Sequence, residues 1–275
     1  MGNKNIAISM SSGKANYHVN QPYIDYIIKA GFTPIALFNK DMCNNSLIDL
    51  CDGLLLPGGI DIDPIYYGED NESSFGVSPE KDEFERELLH MFTNKGKKVF
   101  SICRGFQLVV REKMVEVENS GKGFLDGFYY CQHINGHQTN DKNNVGRNIR
   151  THSVLMNKES LYGEGAKNMF VRGFVNSMHH QGFVSDESVV VQTNKHNEME
   201  IIAKHGDINV LAFTPFGINT AGTKKKDREL VIEAADIVFK NTVVRGVQWH
   251  PEELMDVGLL KAYFSSKEKV ISKGV

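Results

Sequence analysis

The first hundred residues constrain this chain most, because short uninterrupted apolar runs alternate there with helix patterns. Residues 5–10, Thr33–Phe38, Gly53–Pro57 and Lys97–Ile102 read as strands. Between them, residues 20–30 carry Pro22 early and Gly31 just past the end, and Tyr23, Ile27 and Ala30 share one face of a 3.6-residue period. Ser46–Cys51 reads as a short helix. Phe84, Leu88, Met91 and Phe92 line one face of a longer one, which has Asp82, Glu83 and Glu85 near its start and Gly96 at its close. Strands with no in–out alternation, taking turns with helices, predict a parallel sheet covered on both faces. Ligands then gather at the carboxyl ends of the strands.

The second half is less regular. Residues 115–150 are rich in Gly, Asn and Lys, and strand-like pieces return at 152–156, 170–175, 188–193 and 199–204. Leu230, Ile232, Ala235 and Val238 predict a helix over 222–241, behind the run Lys224–Lys226. Val243–Trp249 reads as a late strand. No linker or repeat stands out, which predicts a single domain with insertions over 1–275. An apolar fraction of 41% with 24% charged residues fits a globular chain. Thirty-one basic against 34 acidic residues leave no bulk positive charge for nucleic acid or an anionic membrane. No apolar stretch approaches ~20 residues, and no signal-peptide core opens the chain. Four cysteines in unrelated contexts are too few for a disulfide scaffold, so the expected setting is reducing and cytoplasmic.

Cys103 ends the apolar run Val99–Ile102 and precedes a segment that can be helical. At such a strand-to-helix turn a thiolate gains from the free amides and dipole of a helix N-terminus. Gly105 permits a tight elbow, and the Arg104 amide would face an oxyanion beside Cys103. A buried, inert cysteine fits the same position. His250 follows the late strand, and Pro251 makes its relation to Glu252 rigid, as suits a base and its orienting carboxylate. A helix start with Pro at its first position fits those three residues too. Pro57-Gly58-Gly59 ends another strand, and Gly59 could offer a second oxyanion amide or close an ordinary turn.

Taken together, five segments resemble the class I glutamine amidotransferase superfamily, and most of all its gamma-glutamyl-gamma-aminobutyrate hydrolase branch. They are Leu54–Gly68, Lys81–Glu85, Ser101–Gln107, Val175–Gln181 and Gly246–Glu252. The resemblance implies a flavodoxin-like three-layer α/β sandwich with a mostly parallel central sheet. It implies a Cys103–His250–Glu252 triad, oxyanion amides from Gly59 and Arg104, and a glutamyl pocket lined by Gln107, His179, His180 and Gln181. This chain departs from the branch after Gln107, near 115–150, and over 205–242, where the family is usually shorter.

The implied reaction is hydrolysis of the γ-glutamyl amide of a small γ-glutamyl compound through a γ-glutamyl thioester, with no cofactor and no metal. His179 and His180 are read as pocket lining rather than as a metal pair. Cys131, His133 and His137 are read as a polar loop rather than a zinc site, because Gly136 breaks the helix that would align them. Three alternatives stand beside this reading: a glutaminase passing ammonia to a separate synthase partner, a non-catalytic binding protein on the same fold, and a different thiol hydrolase, such as a peptidase or esterase, on the same scaffold. A homo-oligomer is left open, and the leaving amine is not legible.

Overall fold

A computed structural model describes residues 3–266 apart from 14–15, 40, 42, 122–126, 165–168, 187–190, 194–198, 202–203, 206 and 215–228. The first half comprises β1 (Asn5–Ser9), β2 (Ser11–Ser12), β3 (Tyr17–His18), α1 (Gln21–Lys29), β4 (Thr33–Leu37), α2 (Asn45–Leu50), β5 (Gly53–Leu56), α3 (Pro79–Asn94), β6 (Lys98–Ile102) and α4 (Arg104–Asn119). There follow β7 (Phe128–Cys131), α5 (Thr139–Lys142), β8 (His152–Asn157), α6 (Lys158–Tyr162), β9 (Phe170–Val175), β10 (Gly182–Asp186), β11 (Val191–Thr193), β12 (Met199–Ile201), β13 (Lys204–His205), β14 (Ile208–Thr214), β15 (Glu229–Phe239), β16 (Thr242–Val247) and α7 (Val257–Ser265).

The strands β4-β1-β5-β6-β16 lie side by side and parallel. Beyond β16 the sheet continues antiparallel through β15, β14, β8 and β9, with β10 paired to β15 and β7 paired to β10. Side chains alternate between two cores. Leu54, Leu56 and Val99 pack with Phe84, Leu88, Phe92 and Phe106 of α3 and α4. Leu55, Phe100 and Ile102 pack on the other face with Tyr26 and Ile27 of α1 and Leu259 and Phe264 of α7. Burial on both faces explains why the parallel strands read as continuous apolar runs. The result is an α/β sandwich of the flavodoxin-like type.

Local signals place the helices. Pro22 stands in the first turn of α1 and Gly31 ends it at φ +84°. The Ser78 side chain accepts the Lys81 amide to cap α3, with Pro79 in its first turn.

The helix predicted over 222–241 is corrected. Residues 229–239 form the long strand β15, hydrogen-bonded to β14, β16 and β10, and the Lys224–Lys226 run lies outside the described residues. Nearly every residue of β15 is buried, so its apolar positions obey no surface periodicity. Its β-branched residues Val231, Ile232, Ile237 and Val238 fit a buried strand.

Candidate active site

Three neighbouring parallel strands deliver the predicted residues to one sheet edge. Gly58 and Gly59 follow β5, Cys103 follows β6, and His250 and Glu252 follow β16. Cys103 turns the chain from β6 into α4 at φ 50°, ψ −109°, a left-handed conformation that side chains rarely adopt. The Cys103 amide donates to the Val247 carbonyl at 2.8 Å, so the elbow is tied to the strand that carries His250. At Gly105 a Cβ would lie 2.5 Å from the Leu56 carbonyl oxygen, so only glycine lets α4 start this close to β5.

His250 Nδ1 lies 2.7 Å from Glu252 Oε1, and both side chains are buried. Burial pushes the His250 imidazole down, but the Glu252 carboxylate and the Cys103 sulfur outweigh it and bring it to about 10. Gly58 fills the angle between them: a Cβ there would lie 2.8 Å from His250 Cε1 and 3.3 Å from Cys103 Cβ. Neither the Gly59 amide nor the Arg104 amide, at the first position of α4, has a hydrogen-bond acceptor among the described residues.

Three residues missed in the sequence complete the setting. Tyr23 Oη accepts the Gly58 amide at 2.9 Å and lies 3.4 Å from His250 Nδ1. Gln248 Nε2 lies 3.6 Å from Cys103 Sγ. Asn176 grips the His250 backbone from both sides, accepting its amide and donating to its carbonyl, each at 3.0 Å. Gln248 and Asn176 fall inside the motif segments. Tyr23 sits on the α1 face that periodicity assigns to the core.

The Arg104 side chain turns away from the thiol into the buried carboxylates Asp82 and Glu85. Lys81 Nζ joins Glu85 at 2.7 Å and Ser9 Oγ donates to it at 2.6 Å. Burial would raise the Glu85 carboxyl, yet Arg104 and Lys81 hold it below the usual range. Gly59 rests on this pair, its Cβ position 3.5 Å from Arg104 Cδ and 3.7 Å from Lys81 Cε. A cavity of about 260 Å³ opens beside Lys81, between Met10, Tyr17 and Phe38 on one side and Glu80 and Phe84 on the other.

The predicted pocket residues divide. Gln107 Nε2 donates to the Gln181 carbonyl at 2.9 Å, and Tyr130 Oη bridges Gln107 Oε1 and Gln181 Oε1 at 3.2 and 2.7 Å. His180 Nε2 lies 2.9 Å from Asp61 Oδ2, tying its loop to the Gly58-Gly59 turn. His179 is directed instead toward His137 and Glu233. Of the loop set Cys131, His133 and His137, only His137 belongs to this buried cluster; the Cys131 thiol donates to the His133 carbonyl.

The site is thus a cysteine elbow at the carboxyl end of a central strand, in a mixed α/β sheet covered by helices on both faces. The Peptidase C26 family matches residues 3–252, and the chain belongs to that family. A glutamine amidotransferase-like protein of Rickettsia prowazekii (strain Madrid E) is 28% identical, over 88% of this chain and 85% of its own length. A protein of Schizosaccharomyces pombe (strain 972 / ATCC 24843), whose name assigns it to the glutamine amidotransferases, is 25% identical over 90% and 79%. In fold, PurLQS from Thermotoga maritima covers 96% of this chain and 99% of the matched chain at TM-score 0.52, with 14% identity. Cysteine-dependent amide hydrolysis is the kind of activity these relationships support. Among the described residues, no helix is long and apolar enough to cross a membrane.

Proposed function

We propose that Cys103, His250 and Glu252 are a catalytic triad that hydrolyses the γ-glutamyl amide of a small γ-glutamyl compound. The observation that carries this reading is the buried His250 ring, 2.7 Å from Glu252 and at the end of the strand paired with the one that ends in Cys103. The Cys103 thiolate attacks the γ-carbonyl, and the amides of Gly59 and Arg104 receive the oxyanion; losing one such donor typically costs ~10²–10³ in rate. His250 gives its proton to the departing amine as the C–N bond breaks. It then takes a proton from water as the hydroxide adds to the thioester, and C–S cleavage releases glutamate and restores the Cys103 thiolate. Glu252 keeps the ring in the useful orientation throughout.

The names of the relatives favour a second reading, a glutaminase that releases ammonia from glutamine for a separate synthase. One experiment covers both: mass-spectrometric screening of γ-glutamyl amines, polyglutamates and glutamine with wild-type and Cys103→Ala protein. Turnover of γ-glutamyl amines that is lost in Cys103→Ala supports the first reading. Turnover of glutamine alone supports the second. Undiminished turnover in purified Cys103→Ala overturns the triad.

A further inference from the structure

Two strands along the sheet from the one that ends in Cys103, beyond β16, three histidines from three loops and strand ends converge on one buried carboxylate. Glu233 lies on β15 and is fully buried. Its backbone carbonyl accepts the Gln248 amide at 2.7 Å, which fixes it against the strand that leads to His250. Around Glu233 Oε1 stand His137 Nδ1 at 3.2 Å, His152 Nε2 at 3.1 Å and His179 Nε2 at 3.8 Å. His137 Nδ1 and His179 Nε2 are themselves 3.2 Å apart.

Hydrogen bonding alone leaves this cluster incomplete. His179 Nδ1 donates to the Gln181 carbonyl at 2.9 Å, which turns the Nε2 lone pair of the neutral ring into the cluster. His137 Nδ1 carries at most one proton to share between His179 Nε2 and Glu233 Oε1. The other carboxylate oxygen, Glu233 Oε2, is buried with no hydrogen-bond partner among the described residues. An unpartnered buried carboxylate oxygen is costly unless a cation or donor meets it.

We propose that His137 Nδ1, His179 Nε2 and the Glu233 carboxylate form a binding site for a divalent transition-metal ion, zinc being the ion of choice. The separations suit it: ligand atoms at ~2.0–2.1 Å around a tetrahedral ion stand about 3.3–3.4 Å apart. Two imidazoles and one carboxylate suit zinc rather than calcium or magnesium, which prefer oxygen donors. The Gln181 carbonyl behind His179 is the kind of outer partner that orients a metal-bound imidazole. His152 and Thr214, 2.9 Å apart, brace Glu233 Oε1 from the other side. The ion would pin together the loops after β7 and β9 and strand β15, behind the wall that carries Gln181 and Gln248. This site stands independently of the proposed hydrolysis.

The test uses the full chain, stripped with a chelator, supplied with ZnCl₂ and passed over a desalting column. Elemental analysis should find about one zinc per chain, and ZnCl₂ should raise the thermal midpoint. His137→Gln keeps an N–H donor for Glu233 but loses the imidazole, and should bind zinc at least about 100-fold more weakly. His180→Gln, next in sequence to His179 but outside the cluster, should keep the full equivalent. Should His137→Gln fail to fold, cobalt(II) in the wild type decides: intense visible d–d bands of a four- or five-coordinate ion support the site, and a weak octahedral spectrum overturns it. Retention of less than a tenth of an equivalent by the wild type, a full equivalent in His137→Gln, or equal loss in His180→Gln would also overturn it.

Discussion

Asn176 holds His250 by both backbone groups, its Oδ1 accepting the amide and its Nδ2 donating to the carbonyl, each at 3.0 Å. The same Nδ2 donates to the Arg147 carbonyl at 2.7 Å. The candidate base is thus held by a loop that comes after β9, distant from β16 in sequence.

Asn176→Ala should therefore act on the reaction through position. Two buried backbone groups would lose partners, at about 1–3 kcal/mol each. Urea unfolding should report a loss of that order, and kcat for amide hydrolysis should fall about 10- to 100-fold, because small misplacements of a reacting group are expensive. A variant with wild-type kcat would show that the clamp does not position His250.

Gly58 and Gly59 are adjacent but should not tolerate substitution equally. A Cβ at Gly58 would lie 2.7 Å from Tyr23 Oη and 2.8 Å from His250 Cε1, so one of them must move. At Gly59 the nearest atoms are at 3.5 and 3.7 Å, an ordinary contact. Gly58→Ala should lower kcat/KM by about 100-fold, whereas Gly59→Ala should fold with a near-normal thermal midpoint. Steady-state kinetics and thermal melts on the pair would show this, and equal effects would refute it.

The His250–Glu252 pair sets a pH dependence. An imidazole with an ordinary value of about 6.5 stands at about 10 in the fold. Folding thus favours the protonated ring, and this contribution is fully present below pH ~6.5 and is lost as pH rises through about 10. Thermal midpoints measured from pH 6 to 10.5 should fall more steeply for the wild type than for His250→Gln. Glu252→Gln should bring the His250 titration, followed by NMR, to lower pH.

Glu85 balances two buried cations, Lys81 and Arg104. Removing one partner of a buried ion pair typically costs about 3–5 kcal/mol, so Glu85→Ala should be destabilised by that amount in denaturant unfolding. The loss should also disturb the start of α4, whose first residue is Arg104. A loss under 1 kcal/mol would mean the charges find water.

What the sequence by itself determined was local. Apolar runs between helix punctuation marked the parallel half of the sheet, and Gly58-Gly59, Cys103 and His250-Pro251-Glu252 stood out because each ends a strand. Parallel strands put their carboxyl ends on one edge, so residues at those ends meet whatever their separation along the chain. The helix expected over 222–241 went wrong for a related reason: inside a sheet covered on both faces, β15 has no wet side to impose a period of two. Only the tertiary structure brought Tyr23 to the Gly58 amide, Asn176 to the His250 backbone, and His137, His152 and His179 to Glu233. Those contacts join segments with no shared spacing, and they depend on how the antiparallel half of the sheet folds back against β16.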